Sequence, residues 1–302
     1  MLNVKWKNKK IVFSIFVLVY YTTLMKSGKV LIVGRPNSGK STLINNLVGQ
    51  KISIVSIRPQ TTRKVVEGYY RDERGEIIFL DTPGVFARIR DPFGKAASES
   101  LKNAFGDADL IIYLIDHTRP RGKEENLVLG MVRNTDLPKI VVVNKIDVKK
   151  PTSIHEYLFL KDEFPNWVEI SALKSKHLKT LLAKIFELLP EGKPLFNEKV
   201  KNNLPFINTT PEEFVAEIIR EKAFTELQEE LPYSISVEVE KIQEKEKCFY
   251  IKASIISANK RYKPMIIGRS GQKIKKIGTL ARKELELITG EKVYLELKVE
   301  TL

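Results

Sequence analysis

Gly34-Arg35-Pro36-Asn37-Ser38-Gly39-Lys40-Ser41 has the spacing G-x-x-x-x-G-K-[ST] and stands between a β-branched run at 30–33 and a helical pattern at 40–48. Few short features restrict a fold as strongly. The glycines let the backbone wrap with successive N–H groups turned inward, and the helix that follows adds its dipole. Such a loop holds phosphate oxygens. Gly34, Arg35, Pro36, Asn37, Ser38, Gly39 and Thr42 are expected along the phosphates, with Lys40 bridging the β- and γ-phosphates and the Ser41 hydroxyl on Mg²⁺.

The surrounding pattern extends this unit. Short apolar runs at 30–33, 65–70, 77–80, 110–115, 140–143 and 168–170 alternate with helical patterns near 40–48, 96–105, 124–133, 154–164 and 178–189. Near-continuous apolar strands interleaved with helices predict an α/β domain, a mostly parallel sheet covered on both faces, over residues 25–192. Ligands of such sheets sit at the carboxyl ends of the strands. Pro190-Glu191-Gly192-Lys193-Pro194 ends the last helix, and 193–210 reads as a linker. A second, α+β unit is expected over 211–302: a helix at 212–228 capped by Thr210, Pro211 and Glu213, strands at 235–242 and 249–256, a glycine-marked helical pair at 264–289, and a strand at 293–299.

Three further fragments follow strands of the first unit. Asp81-Thr82-Pro83-Gly84 places a carboxylate to hold Mg²⁺ through water, and the Gly84 amide can meet the γ-phosphate. Asn144-Lys145-Ile146-Asp147 offers base choice, because the Asp147 carboxylate can accept from both N1–H and the exocyclic amine of guanine, a donor pair that adenine lacks. Ser171, Ala172 and Leu173 bring backbone N–H near the guanine O6. In this order, each at a strand end, the fragments read as a GTP site.

With Gln60-Thr61-Thr62-Arg63 between the first and second fragments, the set resembles the translation-factor-related GTPases and, more narrowly, the Era family of ribosome-assembly GTPases, over about residues 29–300. The resemblance implies a GTPase converting GTP to GDP and phosphate. It puts the threonine pair in a first switch, where one hydroxyl ligates Mg²⁺ and Thr62 is favoured over Thr61. It puts Asp81, Thr82, Pro83, Gly84 and Val85 in the second switch. Val85 stands where Ras-like enzymes carry the glutamine that orients water, so slow hydrolysis is expected. Asn37 stands where potassium-activated relatives place a K⁺ ligand, and it reads equally as a turn residue.

The second unit carries Gly268-Arg269-Ser270-Gly271 after Ile267, amid nine basic and no acidic residues between Asn259 and Lys283. Together with the α-β-β-α-α-β order, this matches a type II KH domain, whose G-x-x-G loop clamps a single-stranded backbone. Lys260, Arg261, Lys263, Ile267, Gly268, Arg269, Ser270, Gly271, Lys273, Lys275 and Lys276 are the candidate RNA contacts. The resemblance implies the 3′ region of 16S rRNA and the 30S subunit as partners, and a role in 30S assembly. A monomer is expected, and the single cysteine points to a reducing compartment, the cytoplasm.

Residues 1–24 read in two ways. Lys5, Lys7, Lys9 and Lys10 precede an apolar run at 11–25 that is short for a membrane span. Either the frame is over-extended and Met25 is the start, or the segment tethers a signalling GTPase at the inner face of the cell membrane. Without it the formal charge falls from +14 to +10 by loss of those four lysines, so a polyanionic partner is expected either way. The lone Cys248 leaves no partner for an intrachain disulfide.

Overall fold

The computed structural model describes residues 25–49, 65–82, 101–150, 152–195, 210–228, 231–246 and 248–301. Gln60 to Arg63, Pro83 to Val85, the segment 1–24 and most of the expected linker (196–209) lie outside the described residues.

Period-2 alternation builds the first sheet. In β1 (Met25–Val33), Val30 and Ile32 enter one buried cluster while Leu31 and Val33 enter another. The strand β4 (Leu110–Asp116) divides in the same way, Leu110, Ile112 and Leu114 against Ile111, Tyr113 and Ile115. A strand apolar on both faces needs cover on both, and each fully buried aliphatic contributes about 1.5–3 kcal/mol. One face is covered by α1 (Lys40–Val48) and α4 (Leu178–Leu188). The other is covered by a helical stretch at 101–107, by α2 (Lys123–Arg133) and by the short α3 (Leu160–Glu163).

With β2 (Val66–Asp72), β3 (Gly75–Asp81), β5 (Lys139–Asn144) and β6 (Trp167–Glu169), the order across the sheet is β2-β3-β1-β4-β5-β6. All of these pairings are parallel except the β2–β3 hairpin. A short β7 (Glu191–Gly192) pairs antiparallel with Met25 and Lys26 of β1. The chain runs from β1 to β3 on one side and then to β4 on the other. This switch point opens a crevice at the carboxyl edge, where the loop at 34–39 lies.

Several boundaries differ from the sequence expectation. The helix expected at 154–164 divides into a 3₁₀ turn (Ile154–Tyr157) and α3, each burying one large residue, Tyr157 and Leu160. The first strand begins at Met25, five residues before the apolar run, because its polar start pairs with β7. Lys193 and Leu195, expected in the linker, still bond to the first unit: the Ser27 hydroxyl donates to the Lys193 carbonyl (3.0 Å) and the Leu195 N–H donates to the buried Glu76 carboxylate (2.7 Å).

The second unit has the expected order. Its first helix, α5 (Pro211–Glu226), opens with a reciprocal box: Glu213 N–H donates to Thr210 Oγ1 and Thr210 N–H donates to the Glu213 carboxylate, both 3.2 Å. The strands β8 (Ile235–Lys245), β9 (Cys248–Ser257) and β10 (Val293–Thr301) form a sheet with β9 central, antiparallel to β8 and parallel to β10. Two helices, α6 (Tyr262–Ile267) and α7 (Gln272–Thr289), join α5 on one face. Ile266, Ile277, Ala281 and Leu285 there meet Ile251, Ala253 and Ile255 of β9. No helix among the described residues is long and apolar enough to cross a membrane.

Candidate functional sites

The loop between β1 and α1 needs its glycines. Gly39 sits at φ 100°, and a Cβ there would lie 2.3 Å from Asn144 Nδ2. A Cβ on Gly34 would lie 2.5 Å from the Leu114 carbonyl. Asn37 adopts a left-handed φ of 63°, which asparagine tolerates better than most side chains.

Lys40 is buried and donates to the Gly34 and Arg35 carbonyls at 3.0 and 3.2 Å. Burial pushes its pKa below the ordinary lysine value, against the raising charges of Asp81 and Glu125. An ammonium held in this way, with its loop N–H groups beside it, suits a polyphosphate that would supply the missing negative charge. Ser41 Oγ donates to Asp81 Oδ2 at 2.7 Å. A hydroxyl and a carboxylate side by side form a hard oxygen pair of the kind Mg²⁺ takes. Thr82 turns away, donating its hydroxyl to the Ile32 carbonyl at 2.9 Å.

Asn144 joins three loops. Its Nδ2 donates to the Ser38 carbonyl at 2.8 Å, and its Oδ1 accepts from Lys145 N–H (2.8 Å) and Ala172 N–H (2.9 Å). Lys145 Nζ donates to Asp116 Oδ2 at 2.7 Å, an acceptor that the sequence reading did not name. Asp147, half-buried, accepts from the Ser171 hydroxyl, so its carboxylate is oriented beside the Ser171–Ala172 turn. Leu173 is exposed. The described fragments, 34–42, 81–82, 144–147 and 171–173, therefore gather at one edge of one sheet.

The Arg35 side chain is 3% exposed and points into the protein, so the place expected for this residue along the phosphates falls to its backbone. His117, with no ligand spacing in the sequence, has its ring nitrogens 3.0 Å from Thr152 Oγ1 and the Lys145 carbonyl.

In the second unit, the α6–α7 junction is bent by three left-handed residues: Gly268 (φ 75°), Ser270 (φ 49°) and Gly271 (φ 74°). A Cβ on Gly268 would lie 2.8 Å from Lys273 Cγ, whereas Gly271 faces open space. Arg269 and Ser270 are exposed at the tip, with Lys260, Arg261, Lys263 and Lys275 also exposed. Ile267 and Lys273 are half-buried, and Ile267 packs on the core. Lys276 is less free than a bare basic face implies, because its ammonium pairs with Glu226 of α5 at 2.8 Å.

Beside this loop runs a groove of about 260 Å³, lined by Ile274, Lys275, Gly278 and Arg282 of α7 and by Leu295 and Leu297 of β10. Its apolar floor and basic rim suit flat bases on a phosphate chain. The β10 leucines were missed in the sequence reading, since their alternation reads simply as a strand.

A sheet with that loop at its switch point and a base-reading motif two strands away is the G domain of a P-loop GTPase, and the smaller sheet is a KH domain. The family described as 50S ribosome-binding GTPase matches residues 29–145, and the KH domain family matches 230–301. GTPase Era of Borreliella burgdorferi is 41% identical over 280 residues, covering 91% of this chain and 94% of that protein. GTPase Era of Aquifex aeolicus is 42% identical over 289 residues, covering 92% and 94%. The chain belongs to the Era family. Two solved structures agree at TM-score 0.84 and 41% identity over 92% of this chain and 94% of theirs: an Aquifex aeolicus Era variant bound to GDP.AlF4⁻, and Era with MgGDPNP and nucleotides 1506–1542 of 16S ribosomal RNA.

Proposed function

We propose that this GTPase is a switch that binds the 3′ region of 16S rRNA through its KH domain and acts in assembly of the 30S subunit, in the cytoplasm. One observation carries the reading above the others. The relative solved with MgGDPNP and an rRNA fragment is similar along 92% of this chain, across both the G domain and the KH domain.

In this reading the backbone of 34–42 cradles the phosphates, Lys40 neutralises them, and Asp147 reads guanine beside Ser171 and Ala172. Ser41, Asp81 through water and one hydroxyl of the Thr61–Thr62 pair, Thr62 being favoured, would hold Mg²⁺, which would supply positive charge to the phosphates. The tip at Arg269 and Ser270 meets the RNA backbone while the groove along α7 and β10 takes bases. Asn37 is the candidate K⁺ ligand; equal hydrolysis rates in sodium and potassium would remove that assignment.

The test uses the full chain and an RNA oligonucleotide of the 16S 3′ region. Binding should be tighter with a GTP analogue than with GDP. Equal affinity for the oligonucleotide and for a scrambled RNA would overturn the rRNA assignment and leave the GTPase intact.

A further inference from the structure

Arg35 carries a charge turned away from the nucleotide loop's interior. Its Nη2 donates to the carbonyls of Asp116 (2.7 Å) and Arg119 (3.0 Å), and its Nη1 donates to that of Pro120 (2.9 Å). Its Nε lies 3.1 Å from Glu125 Oε2, in an ion pair whose side chains are 3% and 0% exposed. Glu125 is held in turn by the Tyr113 hydroxyl at 2.7 Å and the Tyr157 hydroxyl at 3.4 Å. Arg119 returns the grip, its Nη1 donating to the Pro36 carbonyl at 3.2 Å.

The gripped segment, 116–120, also holds the base motif. Asp116 Oδ2 accepts from Lys145 Nζ at 2.7 Å, and a His117 ring nitrogen lies 3.0 Å from the Lys145 carbonyl. The phosphate loop and the guanine motif are thus fastened to one short stretch that begins at the last residue of β4.

We propose that Arg35, with Glu125 and Arg119, is a positioning clamp that sets the spacing between the phosphate loop and the guanine motif, so that one nucleotide engages both together. The proposal rests on the reading of this edge as a GTP site. The physical reason is the chelate effect. A ligand spanning two subsites gains from the second only as far as the separation is preset, and misplacement of about 1 Å already loses much of that gain. A buried arginine suits the task, since its fixed fork grips three backbone carbonyls of 116–120 and the cost of separating its charge from that of Glu125 opposes sliding.

The experiment measures GDP and GMP affinities of the full-length chain and of the Arg35→Lys and Arg119→Ala variants, with a thermal melt of each. GMP engages the base motif; the β-phosphate of GDP adds the loop. Arg35→Lys should lower the GDP-to-GMP affinity ratio by about tenfold or more, and the exposed Arg119→Ala by about threefold, with GMP affinity held within about twofold in both. A ratio unchanged in variants that fold, or equal losses for GMP and GDP, would overturn the clamp. Should Arg35→Lys not fold, Arg119→Ala decides in the same way. Failure of the unaltered chain to bind GDP would instead overturn the GTP site itself.

Discussion

Asn144 Nδ2 donates to the Ser38 carbonyl at 2.8 Å while the same side chain accepts from Ala172 N–H at 2.9 Å, so one amide fixes the phosphate loop against the turn beside the base. Asn144 is 2% exposed, and its partners have little access to water once it is gone. Asn144→Ala should lower the unfolding free energy by about 2–3 kcal/mol, the order expected for unpaired buried polar groups. It should also weaken GDP binding. Urea unfolding of the nucleotide-free chain checks the first expectation, and a loss under about 0.5 kcal/mol would show that water replaces the amide.

Asp147→Asn should weaken GTP by about two orders of magnitude, because hydrogen bonds to a carboxylate contribute about 1.5–3 kcal/mol each. The Ser171 hydroxyl on Asp147 orients the group and leaves acceptor capacity for the base. The amide presents a donor in place of an acceptor, so xanthosine triphosphate, with an oxygen where guanine has its amine, should now bind. Competition assays with both nucleotides decide. Unchanged GTP affinity would move base reading elsewhere.

The Lys145–Asp116 pair gives a pH dependence. Burial alone would raise the Asp116 pKa, but the bond from Lys145, the bonds from Thr118 and the Lys145 charge outweigh it and hold the carboxyl below its usual value. A depressed carboxylate contributes stability above its unfolded pKa, about 3.9, and loses it as the pH falls through the folded value. Lys145→Met should therefore be less stable than the unaltered chain near pH 6, with the gap narrowing below about pH 4. Denaturant midpoints at several pH values measure the gap, and one constant down to about pH 3 would count against the pair.

The legible parts of the site were those in which chemistry and spacing are local. The run Gly34 to Ser41, the motif Asn144 to Asp147 and the pair Gly268 and Gly271 each stand within a few residues of a strand or helix whose period fixes their place. The Arg35–Glu125 pair joins residues far apart in sequence, and a buried arginine in a phosphate loop reads as a phosphate ligand until the fold turns it inward. Lys276 looked like part of a free basic face because its partner, Glu226, lies on a helix before the sheet. The break between Ile154–Tyr157 and α3 was also hidden, since two short turns with one buried residue each imitate a single helical stripe.

The last expectation separates the two domains. Arg269 and Ser270 stand exposed at the tip of the α6–α7 bend, with Gly271 opening space beside them for a phosphate. Replacing both by aspartate sets two negative charges against an RNA backbone and removes one cation. Affinity for the 16S oligonucleotide should fall by at least tenfold, and the slope of log affinity against log salt should flatten by about 0.7, the share of one phosphate contact on a single strand. The nucleotide groups belong to the first sheet, whose buried clusters share no residue with that of the second. GDP affinity should therefore stay within about twofold of the unaltered chain, a change under 0.5 kcal/mol. Titrations of both ligands at several salt concentrations check the pair of expectations. Full RNA binding by the variant would make the loop an ordinary turn and its lysines a solvated face, whereas loss of GDP binding as well would show that the two domains do not stand independently.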